Sequence, residues 1–250
     1  MENWTNLCDL FFELSNEDRI NILYQVEKKP FTITALSKSL NLSTQEVSRH
    51  VSRLMDQQIV TKDSNGEIIL DSYGRTIIFS VPYFQFVSNN KDYFNSHTVQ
   101  SLSSKYIARI QELQESILIE DPMTVFQRIQ IMCENAEEYI FRLTDKHLRI
   151  IYPQLQSAAD RGVEFKLLEP FHYQPSPGDT ITPRVSPSET RGLENIPIFL
   201  ALSEKEVAAI AFPLTGGGFD YHSFSSSDPK IHEFCLDLFT YYWEKAQPKK

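Results

Sequence analysis

Thr44, Gln45, Ser48, Arg49, Ser52 and Arg53 are the side chains whose types and spacing could do chemistry together. They recur in pairs four residues apart, so on an α-helix they share one face. Their chemistry is hydrogen bonding to planar acceptors. A guanidinium forks onto guanine or phosphate, a carboxamide onto adenine, and a hydroxyl onto either. Gln45 and Ser48 are the candidates for base readout; Arg49 and Arg53 are the candidates for phosphate or guanine contacts. A merely solvated amphipathic helix would show the same face, so the flanking elements must decide.

Val47, Val51, Leu54 and Met55 form the opposite, apolar stripe at helical spacing. Ser43 and Glu46 have the spacing of a capping box, which would start the helix at residue 44. Residues 32–40 predict a preceding helix, with Ala35, Leu36 and Leu40 on one face and Thr32 or Thr34 at its cap. Asn41 and Leu42 would make the turn, since Asn tolerates the left-handed conformation. Residues 59–62 and 67–70 then bracket Asp63-Ser64-Asn65-Gly66, a strong hairpin signal. Helix, turn, capped helix and hairpin in that order are the plan of a winged-helix reader of double-stranded promoter DNA. Lys62 would reach phosphate from the wing.

The charge pattern agrees locally. The chain carries −9 overall. Between residues 28 and 62, six basic side chains (Lys28, Lys29, Lys38, Arg49, Arg53, Lys62) face only Glu46 and Asp56, an excess of four. An acidic protein with one basic face is kept off nucleic acid except at that face.

At 250 residues with 41% hydrophobic content, the chain can build two modest packed domains. No run approaches the roughly 18 apolar residues that span a membrane, and MENWTNLCDLFFEL has no basic segment before its apolar part, unlike a secretory signal. Cys8, Cys133 and Cys235 are scattered and odd in number, which points to a reduced, cytoplasmic protein with buried thiols, no disulfide framework, no metal and no cofactor. Residues 4–14 read as a helix so apolar (Trp4, Leu7, Cys8, Phe11, Phe12, Leu14) that part of it packs either on a partner subunit or inside the monomer.

Further on, residues 72–88 read as a helix kinked or ended by Pro82, and 91–120 as a long helix suited to joining domains or subunits. From residue 123 the pattern changes. A helix, a strand at 139–143, a helix at 146–161 closed by Gly162, and a strand at 163–168 form a β-α-β unit. Residues 169–195 read as a long loop. Strands at 197–202, 207–212 and 219–224 precede a last helix opened by Asp228-Pro229. The expected fold class is two-domain α+β or α/β. Residues 1–88 form a winged helix, 89–121 a linking or dimerisation helix, and 122–250 an α/β domain with a mixed sheet.

Three stretches carry a resemblance. DYFNSHTVQSLSSKYIARIQELQESILIE at 92–120, Ala158-Ala159-Asp160-Arg161-Gly162-Val163, and Leu238-Phe239-Thr240-Tyr241-Tyr242-Trp243-Glu244-Lys245-Ala246 resemble archaeal winged-helix regulators of the methanogenesis regulatory protein type. The N-terminal part is similar to ArsR-type winged helices, and the β-α-β half looks like the phospholipase-D-like sensor domains of TrmB-type regulators. The resemblance implies an archaeal, dimeric transcription regulator whose C-terminal domain senses a ligand or builds the assembly.

A phospholipase-D site would need His-x-Lys-x-x-x-x-Asp. The stretch from His172 to Asp179 has Gln174 where the phosphate-binding Lys belongs, so catalysis is not expected. His232 and Cys235 share a helix face, but Cys235 also falls in an apolar stripe, and a core thiol is the better reading. His172, Arg184, Arg191, Asp220 and His222 could line an effector cleft at the strand ends, where two arginines would suit a small anionic molecule. The alternative is ordinary loop charges. Gly216–Gly218 lacks a following phosphate-binding helix and reads as a turn. Two other functions compete with the regulator: a phosphodiesterase with an accessory winged helix, and a winged-helix protein-interaction scaffold.

Overall fold

In the computed structural model, which describes residues 3–173 and 189–249, the N-terminal helices begin where side chains can cap them. α1 (Thr5–Leu14) is followed by Asn16, whose side-chain Oδ1 accepts from the Arg19 amide and opens α2 (Glu17–Lys28). Thr32 accepts from Ala35 and opens α3 (Ile33–Leu40). Asn41, at φ 55°, turns the chain in the left-handed region. Ser43 accepts from the Glu46 amide at 3.2 Å and Glu46 accepts from the Ser43 amide at 2.9 Å, completing the box that starts α4 (Thr44–Asp56).

β1 (Val60–Lys62) and β2 (Ile68–Leu70) pair antiparallel, with Thr61 opposite Ile69. The Asp63 carboxylate accepts from the amides of Asn65 and Glu67, at 2.9 and 2.8 Å. Gly66 supplies φ 79° in the turn. Phe31 bridges to Ile68 in both directions, fastening the hairpin to the start of α3. α5 (Ser72–Ile78) and α6 (Val81–Asn89) replace the single helix expected over 72–88. Pro82 lies in the first turn of α6, where its missing N–H costs no ladder bond.

The chain divides into two units, Met1–Phe84 and Gln85–Lys250. The core of the first is built from Ile22, Leu23, Leu36, Val47, Val51, Leu54, Ile59 and Ile68. Leu14 and Leu10 pack against it only in part. Trp4, Leu7, Phe11 and Phe12 stay exposed among the described residues, although Phe11 meets Phe84 edge-on at 5.8 Å. Cys8 is exposed as well, against the expectation of three buried thiols.

In the second unit the long helix expected over 91–120 is not formed. α7 (Lys91–Ser96) and α8 (Ser104–Ile107) are short, Ile110–Leu113 is a single 3-10 turn, and β3 (Ile117–Ile119) joins a sheet. His97 takes extended backbone and bridges to Leu214, which ends α7. α9 (Pro122–Asn135), β4 (Tyr139–Leu143), α10 (Tyr152–Asp160) and β5 (Glu164–Pro170) make the β-α-β unit, with β4 and β5 parallel. β6 (Glu189–Leu193) runs parallel beside β5, inside the span expected to be loop. β7 (Phe199–Ser203), β8 (Val207–Ala211) and β9 (Ser223–Ser226) continue the sheet antiparallel. α11 (Pro229–Lys245) and the two-residue β10 (Gln247–Pro248) end the described chain.

The strand order in this mixed sheet is β10-β6-β5-β4-β7-β8-β9-β3. One face packs on α9 and α10 through Ile140, Phe165, Leu167, Phe199 and Ala201, with Val125, Ile129 and Leu155 opposite. On the other face Phe141 stacks on Phe239 of α11, ring centroids 4.9 Å apart. Cys235 and Cys133 are both core thiols. His232 Nε2 donates to the Ser203 carbonyl, 2.7 Å away, rather than joining Cys235 at a metal. No cluster of three or more His, Cys, Asp or Glu side chains that could hold a metal occurs among the described residues. No helix among them is long and apolar enough to cross a membrane.

Candidate nucleic-acid interface

α4 separates its faces sharply. Val47, Val51 and Leu54 are fully buried, while Thr44, Gln45, Ser48, Arg49 and Ser52 are exposed. Arg49 makes no hydrogen bond or ion pair among the described residues, and neither does the exposed Lys62 on β1.

Arg53 is different, although it lies one turn after Arg49. Its Nη2 donates to Glu13 Oε1 at 2.6 Å and its Nε to Oε2 at 3.2 Å. The guanidinium also lies over the Phe12 ring, 5.0 Å from the centroid. The expectation of a guanidinium free for DNA is therefore not met: Arg53 ties α4 to α1. Glu13 is 5% exposed and serves a second arginine. Arg19 Nε stands 3.2 Å from Glu13 Oε2 and donates to the Glu13 carbonyl at 2.6 Å, while Nη2 donates to the Phe12 carbonyl at 2.7 Å. The hydrogen bond from Arg53 and the charge of Arg19 outweigh burial and hold the Glu13 carboxyl below its usual range. One carboxylate thus joins α1, α2 and α4.

His50 occupies the boundary between the faces of α4. It is buried, its Nδ1 has no partner among the described residues, and its Nε2 is 3.7 Å from Asp18. Burial depresses its pKa, against the pull of Asp18. Sequence reading missed Glu13, Arg19 and His50. Only Glu13 gave a signal, as a carboxylate in an otherwise apolar helix.

The four described residues of the expected effector cleft, His172, Arg191, Asp220 and His222, do not converge. Arg184 lies outside the described residues. Arg191, on β6, is held by Glu189 at 2.8 Å and by the Trp243 carbonyl at 2.9 Å, and stacks over the Trp243 ring. Asp220 and His222 sit just before β9, and β5, β4, β7 and β8 lie between β6 and β9, so the two groups are roughly 24 Å apart at the strand spacing of a sheet. Asp220 instead accepts from His97 at 3.0 Å and pairs with His222 at 3.3 Å. His172 lines a groove of about 720 Å³ with Phe171, Gly192, Tyr242, Lys245 and Gln247. Gln174 and Asp179, the other residues of the incomplete phospholipase-D pattern, are also outside the described residues.

The family model of the bacterial regulatory proteins of the arsR family matches residues 16–62, from the cap of α2 to the end of β1. An uncharacterized HTH-type transcriptional regulator of Methanocaldococcus jannaschii is 33% identical over 78 residues, which is 31% of this chain and 78% of that relative. This chain belongs to the HTH-type transcriptional regulators. It is a DNA-binding regulator whose helix–turn–helix is of the ArsR type.

Among solved structures, the archaeal chromatin protein TrmBL2, described as showing a novel mode of DNA binding, is 14% identical with a TM-score of 0.41, over 93% of this chain and 92% of that one. The phospholipase D family member Nuc from Salmonella typhimurium is 12% identical with a TM-score of 0.35, over 49% of this chain and 88% of its own. Neither score is high enough to establish a shared fold.

Proposed function

We propose that α4 enters the major groove of double-stranded promoter DNA and that the β1–β2 hairpin serves as a wing beside it. The observation that carries this reading is the exposed face of α4, whose arginine at position 49 has no partner within the described protein. Gln45 and Ser48 meet base edges, Arg49 a guanine or a phosphate, Thr44 and Ser52 the backbone, and Lys62 a phosphate under the wing. Arg53 acts through Glu13, fixing the angle at which α4 leaves the unit.

The protein works as a homodimer reading two half-sites about one helical turn, ~34–36 Å, apart. The exposed Trp4, Leu7, Phe11 and Phe12 of α1 support a partner subunit on that face. The C-terminal unit senses a small effector or builds the assembly and does no catalysis, since Gln174 replaces the cation a phospholipase-D site requires.

Selection of genomic fragments by the purified protein at physiological salt, with Arg49→Glu alongside, tests the reading. An inverted repeat enriched by the wild type and lost in the variant is the expected result. Equal enrichment by both proteins would remove α4 from the interface.

A further inference from the structure

Arg142 lies at the centre of the sheet, on β4 between β5 and β7, and is 2% exposed. It shares a face of the strand with Ile140, the face covered by α9 and α10, so it is a cation inside an apolar core. Its Nε and Nη2 are buried and have no acceptor among the described residues. These two nitrogens form one edge of the guanidinium, the edge whose parallel N–H bonds match a carboxylate or phosphate.

Among the described residues no protein anion supplies the missing charge. The groups that act on Arg142 electrostatically are Cys133, Tyr152 and Tyr221. Burial pushes the Cys133 thiol up to about 12 and the Tyr221 phenol up as well, so both are neutral at ordinary pH. The carboxylates that meet the groups around it are engaged elsewhere. Asp145 accepts from the Tyr221 hydroxyl at 3.1 Å, and Glu169 is held by His147 at 2.5 Å and Lys249 at 2.6 Å. Arginine does not shed its proton in a protein, and buried charges are ordinarily paired.

Tyr221 adds a second sign. Its backbone is left-handed, φ 67°, a region that bulky residues avoid. That conformation sets its ring edge-on to Phe126 and Phe199, at 5.3 and 5.1 Å, beside the Arg142 face of the sheet. Tyr152, whose hydroxyl is 3.2 Å from His147 Nδ1, and Tyr221 are only half-buried, so of the groups that act on Arg142 these two reach the surface.

We propose that Arg142 is the receptor of a small-oxyanion site in the C-terminal unit, bordered by Tyr152 and Tyr221 and taking a carboxylate or phosphate group. This deepens the effector-sensing part of the function proposed above by naming the ligand's chemistry. It is tested without DNA, so its failure and the failure of the DNA reading are distinguishable.

The test is thermal denaturation of the full-length wild type, Arg142→Met and Arg142→Lys in chloride, inorganic phosphate or malonate at one ionic strength. The wild type should gain a saturable rise of roughly 5–10 °C at a hundred times Kd in one of the two oxyanions. Arg142→Met should show only the unsaturable stabilisation such salts give any protein, and Arg142→Lys a weakened saturable response. Phosphate or malonate, whichever acts, identifies the ligand class. Equal responses in wild type and Arg142→Met would overturn the proposal. Should Arg142→Met not fold, calorimetric titration of the wild type decides: no saturable binding of either probe would equally overturn it.

Discussion

Glu13→Gln is the most direct perturbation of the DNA-reading unit. The carboxylate is 5% exposed and serves Arg19, itself 6% exposed, and Arg53, whose side chain is 41% exposed. Removing one partner of a buried pair typically costs about 3–5 kcal/mol, because the other charge is left without a counterion. Arg19 keeps two backbone carbonyls, those of Glu13 and Phe12, so the loss should fall below that range, to about 2–3 kcal/mol. Arg53→Gln leaves the Arg19 pair intact and removes a contact open to solvent, which should cost only about 0.5–1 kcal/mol. Native-state hydrogen exchange read on the amides of α1, α2 and α4 measures both without requiring the whole chain to unfold in one step. Acid provides a second readout. The folded pKa of Glu13 is lowered, so its stabilisation is full above the ordinary carboxylate value and is lost as pH falls through the folded one. That acid loss should shrink in Glu13→Gln. A change below about 0.5 kcal/mol in Glu13→Gln, or an equal cost for both variants, would refute the claim that one carboxylate joins the three helices.

Arg49→Ala should weaken operator binding by about 1–3 kcal/mol at a guanine contact, and a series of base substitutions read by fluorescence anisotropy would locate the base. Lys62→Ala should weaken all sequences alike and lower the salt slope by about one. Gly74→Ala should destabilise the N-terminal unit by about 1–3 kcal/mol in exchange or melting experiments, since its Cβ would stand 1.9 Å from the Ile59 carbonyl oxygen. His50, facing Asp18 and Arg19 on α2 and Glu46 and Arg49 on its own helix, has a lowered folded pKa. The stability owed to its neutral form is therefore full above its ordinary value and is lost as pH falls below it. His50→Leu should flatten the fall in α4 protection between about pH 7 and 5.

The helix–turn–helix was legible because its signals are local. The capping box, the left-handed Asn41 and the Asp63–Gly66 turn each act within five residues, and the structure places all three as their spacing predicts. The stretch over 91–120 was misread because three- and four-residue spacing of Tyr106, Ile110, Leu113 and Ile117 does not require one helix. Here Tyr106, Ile110 and Leu113 are buried from separate short turns, and Ile117–Ile119 pairs with β9. β6 escaped because ETRGL has no apolar alternation. Its strand state comes from pairing with β5, and a Cβ on Gly192 would approach Phe171 to 2.6 Å. The strand expected at 219–224 forms later, at Ser223–Ser226, for a related reason. Its buried serines at 223 and 225 satisfy their hydroxyls on the carbonyls of Tyr221 and Val207, which no sequence pattern announces.

The arginines show where periodicity stops being informative about a site. Arg49 and Arg53 share a helix face, and spacing assigns them the same role. What separates them is a carboxylate forty positions away, on a helix that composition marks only as apolar. Arg19 and Arg142 are both buried, yet they differ in the same respect. Arg19 has a carboxylate and two carbonyls around it; the Nε–Nη2 edge of Arg142 has none among the described residues. If buried arginines were simply tolerated in this protein, Arg19 would not need so complete a set of acceptors. The contrast supports an acceptor for Arg142 other than the described residues, and it makes the salt response of Arg142→Met the sharper guide to what the C-terminal unit detects.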